Sequence, residues 1–311
     1  MLEGFTRACD KLKLDARVVA LTRRPKEFRR TAPHLADHSA ITTAPGDVRS
    51  FAFPPGEFAA ILHMATDADV GLIDRKPLEM VDTIIDGTRR VLDFAKSCGA
   101  RRFLHTSSGA VYGKQPKTLS HLPEDYAGAP LVDAPRSSYA EAKRMAEVLC
   151  FLAHQTSGLE AVNARCFAFV GPLLQTGRGY AIGNFLGDAL AGRPIRLTGD
   201  GTPVRSYLYG ADLAVWLWTM LIRGTPGRSY NVGSEVEVSI AEAALAVSKS
   251  FDPEPPVKIA GTPSPGERPE RYVPCTKLAR TELGLAARVD FRDAVRKTAQ
   301  WMREELQASR E

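Results

Sequence analysis

Leu2, Phe5, Cys9 and Leu12 recur at helical spacing, which predicts a helix from Met1 to about Leu14. Arg17–Thr22 is a short β-branched and apolar run, the pattern of a buried strand, and Ala60–Ala65 is a second. Helical periodicity then returns over Asp82–Ser97. A third strand is predicted at Arg102–Thr106, a second long helix at Tyr139–Thr156 and a fourth strand at Ala161–Phe167. Strands separated by helices pair in parallel, because each connection must cross back over the sheet, and the helices cover both faces. The expected fold is α/β, a doubly wound parallel sheet.

From about Gly171 the pattern changes. Gly and Pro become frequent, helical stretches shorten, and charged loops such as Thr262–Arg271 interrupt them. This predicts a first domain over residues 1–172, with 205–233 returning to it, and a smaller α/β domain over 173–311. A closing amphipathic helix is expected from about Phe291 to Gln307.

Composition narrows the class. The 311 residues are 44% hydrophobic and 25% charged, a globular balance rather than a disordered one. The longest apolar stretch, Ala214–Ile222, falls well short of the about 20 residues a membrane span needs. Met1-Leu2-Glu3-Gly4 leads directly into an amphipathic segment, so no secretory leader is expected. Cys9, Cys98, Cys150, Cys166 and Cys275 are odd in number and form no Cys-x-x-Cys pair. They fit buried thiols in a reducing compartment, and the cytoplasm is the expected location. The net charge is +5, with basic and acidic residues interspersed. That suits a small anionic ligand better than a nucleic acid, and neither a metal nor a membrane partner is expected.

Candidate chemistry begins at Tyr139-Ala-Glu-Ala-Lys143. A spacing of four places the phenol and the ammonium on one helix face, one turn apart. Upstream, a strand ending in Thr106-Ser107-Ser108 delivers hydroxyls to the carboxyl edge of the sheet, where doubly wound proteins bind ligands. Ser108, Tyr139 and Lys143 form a proton-transfer set. For the phenol to act as a base near neutrality its pKa must fall by roughly 3 units from about 10, which a neighbouring cation in a dry cleft can supply.

These residues, with a series of ordered partial matches, resemble the extended short-chain dehydrogenase/reductase family, the NAD-dependent nucleotide-sugar epimerases and dehydratases. Gly46-Asp47-Val48 is similar to the adenine-contacting turn, and Leu62-His63-Met64-Ala65 to the strand end lining the cofactor. Arg165-Cys-Phe-Ala-Phe-Val-Gly-Pro172 resembles the segment over nicotinamide and sugar. Gly199-Asp200-Gly201 with Arg205-Ser206-Tyr207 resembles the element whose Arg holds the nucleotide diphosphate. Asn231-Val-Gly233 and Pro265-Gly266-Glu267, with Arg268 or Arg271, match later markers.

The resemblance implies that Tyr139 is the base, that Lys143 lowers its pKa and binds the ribose hydroxyls, and that Ser108 shares the proton. The cofactor, NAD with NADP open, is expected at Thr22, Arg23, Asp47, Val48, Met64, Ala65, Thr66, Thr106, Tyr139, Lys143 and Phe167. Arg23 and Arg24, where family members preferring NAD often carry an acid, keep NADP open. A nucleotide-diphosphate sugar is expected at Ser108, Ala110, Asn184, Phe185, Arg205 and Arg268. Arg205 reads either as a bidentate diphosphate clamp or as a surface ion pair. A homodimer through the Asp82–Ser97 and Tyr139–Thr156 helices is implied as well.

Departures from the family pattern narrow the reaction. Dehydratases follow the hydroxyl residue with Asp-Glu, and decarboxylases keep a Glu at the second place; here Gly109-Ala110 stand there. Small residues fit a 4-epimerase, with a 4-ketosugar reductase as the alternative and a decarboxylase or dehydratase with an unusual site behind it. The chain also lacks the family's opening strand and glycine-rich loop, which would put backbone N–H groups against the pyrophosphate. That strand belongs between Arg17–Thr22 and Ala60–Ala65, and unpaired groups there would each cost about 1–3 kcal/mol. The expectation is that roughly 20 more residues precede Met1 in the native polypeptide, a βαβ-scale addition. A cofactor-free binding homologue is the non-enzymatic alternative.

Overall fold

The computed structural model describes residues 1–66, 70–134 and 136–308. Four parallel strands form the centre: Ala60–His63, Arg102–Ser108, Glu160–Cys166 and Ser229–Val232, in that spatial order. The Arg102–Ser108 strand pairs with Glu160–Cys166 along its whole length, in a register that sets Ser108 opposite Cys166. Both strands are largely buried, as expected where helices cover both faces.

Two long helices, Pro77–Ser97 and Ser137–Ser157, pack against one another beside this sheet. The first begins five residues before the periodicity announced it, because Pro77 at its opening position has the φ a helix start requires. Gly87 lets this helix approach Val48, since a Cβ there would lie 2.9 Å from Val48 Cγ1.

Among the described residues Val18–Thr22 pairs only with Ile41–Pro45, in parallel, a five-residue strand whose mixed sequence, Ile-Thr-Thr-Ala-Pro, gave no periodic signal. These two form a separate sheet. Among the described residues, neither Val18–Thr22 nor Ala60–His63 has a ladder partner on its other edge. All five residues of Val18–Thr22 are half-exposed, unlike the buried strands of the centre. The opening helix, Leu2–Leu12, is held instead by Phe5 stacking on Trp218 at 5.7 Å.

A second apolar cluster gathers residues beyond position 169, with Phe185, Leu186, Ile195, Tyr207, Val247 and Val295 at its heart. Short strands (Ile195–Leu197, Val204–Arg205, Tyr207–Tyr209 and Arg271–Tyr272) frame it, and the closing helix spans Phe291–Ala308. Arg271–Tyr272 pairs in parallel with Val204–Arg205, which carries both segments toward the carboxyl end of the central sheet. Among the described residues no helix is long and apolar enough to cross a membrane.

Candidate active site

Ser108 ends its strand and caps the following turn, accepting a hydrogen bond from Ala110 N–H at 3.1 Å. Tyr139 and Lys143 reach the same place from the first two turns of Ser137–Ser157. Tyr139 stands beside Ser108, whose hydroxyl favours the ionised phenol. Lys143 is 3% exposed, and its Nζ donates to the Thr106 carbonyl at 2.8 Å and to Thr66 Oγ1 at 3.0 Å. Three elements distant in the chain thus bring the predicted proton-transfer set together.

The electrostatics depart from expectation at the phenol. Burial pushes Tyr139 up to about 12, and the Ser108 hydroxyl offsets only part of that. The drop expected from Lys143 is not found in the free protein, because Lys143 points its ammonium at Thr66 and Thr106. Burial lowers Lys143 itself to about 8, since a charge in a dry site loses hydration that two neutral acceptors only partly replace. Below it, His63 and His105 stack at 5.6 Å, and burial holds His63 down at about 3, neutral at physiological pH.

A cavity of about 410 Å³ opens at the carboxyl ends of Val18–Thr22, Ile41–Pro45 and Ala60–His63. Thr22, Arg23, Asp47, Val48, Met64, Ala65 and Thr66 all line it, and Thr66 connects it to Lys143. Asp47 is held down at about 2 by the hydrogen bonds of Arg49. Arg24, paired with Glu27 at 2.8 Å, lines the cavity together with Arg23 and Arg178. The cavity's volume is on the scale of a nucleoside, and although none of Ser108, Tyr139 and Lys143 lines it, Thr66 links it to Lys143, so the residues present fit the adenosine end of a dinucleotide. The glycine loop that would hold the pyrophosphate has no counterpart in this sequence.

The other predicted residues divide. Thr106 donates to the His63 carbonyl, tying adjacent strand ends at 3.2 Å. Phe167 is buried, and Tyr272 lies over it with ring centroids 4.6 Å apart. Arg205 bonds the Val204 carbonyl at 2.9 Å and acts electrostatically on both Tyr207 and Tyr272, which puts it near the site. Asn184 is exposed, whereas Phe185 packs into the second apolar cluster, so its ring is a core group. Arg268 is exposed and donates to the Lys117 carbonyl at 3.4 Å; Arg271 is ion-paired with Glu237.

Sequence reasoning missed two features. Glu147, one further turn beyond Lys143, binds Arg165 at 2.7 Å and accepts from Ser107, the neighbour of Ser108. Its position at i+4 from Lys143 was the available signal. Tyr272 was also missed, and there nothing local in its loop announces a role. A larger cavity, about 660 Å³, lies along Tyr112, Arg144, Glu147, Phe151 and Arg165. None of Ser108, Tyr139 and Lys143 lines it.

Comparison with known proteins agrees with this geometry. The profile of the NAD dependent epimerase/dehydratase family matches residues 6–233. UDP-glucuronic acid decarboxylase 3 of Arabidopsis thaliana is 31% identical over 240 residues, covering 77% of this chain and 68% of the plant enzyme. Among solved structures, a double mutant of dTDP-glucose 4,6-dehydratase DesIV from Streptomyces venezuelae, with NAD bound, superposes with a TM-score of 0.81 at 24% identity, covering 99% of this chain and 94% of that one. UDP-glucose 4-epimerase from Thermotoga maritima superposes with 0.77 at 20% identity, covering 97% and 96%.

Proposed function

Because the chain belongs to the NAD dependent epimerase/dehydratase family, the extended short-chain dehydrogenases/reductases, we propose that it is a nucleotide-sugar 4-epimerase using NAD. When bound, the nicotinamide supplies the acceptor and later the donor of a hydride. Tyr139 removes the proton of the sugar 4-hydroxyl and returns it at the end. Ser108, beside the phenol, hydrogen-bonds the reacting oxygen. Lys143, anchored by Thr66 and Thr106, meets the ribose hydroxyls and adds a positive charge beside the phenolate.

The observation that carries this reading is the wall facing Ser108. A side chain at position 109 would have its Cβ 2.5 Å from the Tyr272 hydroxyl and 2.8 Å from the Phe167 ring, and residue 110 is Ala. The carboxylates that elimination or decarboxylation draws on at these two places are therefore absent, and at 109 none would fit. What is left is oxidation and re-reduction at one carbon. The plant relatives favour a second reading, decarboxylation of a nucleotide glucuronate, which would need its acid/base group from elsewhere. A 4-ketosugar reductase would use the same cavity.

Two accompanying proposals follow. Met145, Val148, Phe151 and Leu152 form an exposed apolar strip on Ser137–Ser157, which supports a homodimer through this helix and Pro77–Ser97. The five cysteines are free thiols, which supports a reducing compartment, the cytoplasm.

Incubation with NAD⁺ and UDP-glucose, UDP-galactose or UDP-glucuronate, followed by NMR of the products, tests the reading. Interconversion of the two hexoses without net NADH is the expected result. Release of CO₂ from the glucuronate, or stoichiometric consumption of NADH by a keto sugar, would replace it with the second or third reading.

A further inference from the structure

Ser108 caps its own turn through the Ala110 N–H, which fixes its hydroxyl within that turn. The placement of the turn against Tyr139 depends on contacts from elsewhere, and two of these come from the helix that carries Tyr139. One turn beyond the phenol, Lys143 Nζ donates to the Thr106 carbonyl at 2.8 Å; one turn further, the Glu147 carboxylate accepts from the Ser107 hydroxyl. Tyr139, Lys143 and Glu147 thus form one stripe along the helix, and two of them hold consecutive residues of the strand that ends in Ser108.

The same carboxylate reaches a second strand. Ser107 and Arg165 stand opposite one another in register on neighbouring parallel strands, so their side chains leave the sheet on one face. Arg165 donates to both oxygens of the buried Glu147, from Nε at 3.0 Å and from Nη2 at 2.7 Å. Its Nη1 donates to the Tyr112 hydroxyl at 2.9 Å and to the Glu124 carbonyl at 3.1 Å, and the Tyr112 hydroxyl donates to Asn231 Oδ1 at 2.8 Å. Tyr112 is the last residue of the short turn that Ser108 opens. The residue before Ser108 and the residue closing its turn are therefore tied to a single ion pair.

We propose that Glu147 is a positioning residue of the proton-transfer site. Through Ser107, and through Arg165 and Tyr112, it holds the turn bearing Ser108 at a fixed place against the helix bearing Tyr139. The assignment of Ser108 and Tyr139 to proton transfer comes from the functional reading above, on which this inference rests. The bidentate arginine has a second consequence. A glutamate four residues beyond a lysine on a helix is its ready ion-pair partner. With Arg165 on both carboxylate oxygens, Lys143 turns to Thr106 and to Thr66, which lines the cavity of about 410 Å³.

Ser107→Ala and Tyr112→Phe each cut one tether and leave the ion pair in place. Fluorotyrosine at position 139 reads the surroundings of the phenol by ¹⁹F NMR in the free protein. The same label at Tyr207, in the second apolar cluster, reports any general loosening. The expected result is a Tyr139 resonance that shifts or splits in each variant, and further in the double variant, while the Tyr207 resonance stays in place. With Glu147→Ala already present, Ser107→Ala should move nothing further; should that background not fold, the two tether variants decide alone. Under turnover of UDP-glucose, kcat should fall roughly tenfold or more in the double variant, as small misplacements of reacting groups do, with KM held within about twofold. A Tyr139 resonance unmoved by both tether variants overturns the proposal. So does an equal movement of both labels, which would mean a merely structural role. Failure of every nucleotide sugar to turn over would sink the functional reading and leave the NMR comparison intact.

Discussion

Two of the parallel sheets, the four-stranded one and the pair formed by Val18–Thr22 and Ile41–Pro45, draw on similar apolar runs and end in different physical states. In the four-stranded sheet, Arg102–Ser108 has a strand on each side, and its interior residues are buried. In the two-stranded sheet, Val18–Thr22 has one neighbour and is half-exposed throughout. A β-branched sequence is only offered for burial; neighbours on both edges and both faces decide whether it is buried. The candidate proton-transfer residues stand on or beside the four-stranded sheet, Ser108 ending one of its inner strands and Tyr139 and Lys143 on the helix packed against it. The cavity of about 410 Å³ stands largely on the two-stranded one, with walls drawn from strand ends and turns.

Hydrogen exchange should show this contrast most strongly. Amides of Leu104 and Val162 are expected to exchange at least about a thousandfold more slowly than those of Val19 and Ala20, because the former open only with the whole fold and a two-stranded unit is marginal by itself. Equal protection would abolish the contrast drawn here.

Arg165→Ala probes the well-paired half next. It strips the partner from Glu147, which is 9% exposed, and takes the guanidinium away from the Tyr112 hydroxyl at 2.9 Å. Removing one member of a buried ion pair costs about 3–5 kcal/mol, so the denaturation midpoint should fall steeply. A loss under about 1 kcal/mol would mean that the pair behaves as a surface one.

Lys143→Met should move stability the other way. The lysine titrates at about 8 in the fold against an ordinary 10.5. Below 8 the folded protein carries a buried ammonium that the unfolded chain keeps in water, a penalty of roughly 3 kcal/mol. Between 8 and 10.5 the unfolded chain holds more of the proton, so wild-type stability rises with pH and the penalty fades. The methionine variant should therefore be more stable near neutrality, by somewhat less than the full penalty because two hydrogen bonds are lost. Its advantage should shrink as pH climbs through that window; an advantage independent of pH would contradict the assignment. Activity should be lost in the same variant, a stability cost retained for function.

The chain announced much of this. Helical periodicity located the two long helices, a residue spacing put Tyr139 and Lys143 on one face, and the apolar runs marked the strands that carry Ser107 and Ser108. These are local properties, written in neighbours a few positions apart. The Ile41–Pro45 strand was silent because its five residues, Ile-Thr-Thr-Ala-Pro, form neither an apolar run nor an alternation, and its partner makes it a strand. The Phe185 ring looked like a ligand contact by its motif and proved to be a core group, since which way a helix turns its face depends on what lies beneath it.

The sequence by itself determined the fold class and the spacing that sets Tyr139 and Lys143 on one helix face, because these follow from periodicity and from side chains at fixed spacing. Only the tertiary structure decided that Lys143 would turn to Thr66 and Thr106, that Glu147 would hold both Ser107 and Arg165, and that Tyr272 would close over Gly109. Each of these joins residues far apart in the chain. Burial and hydrogen-bond partners acquire values only when such segments meet.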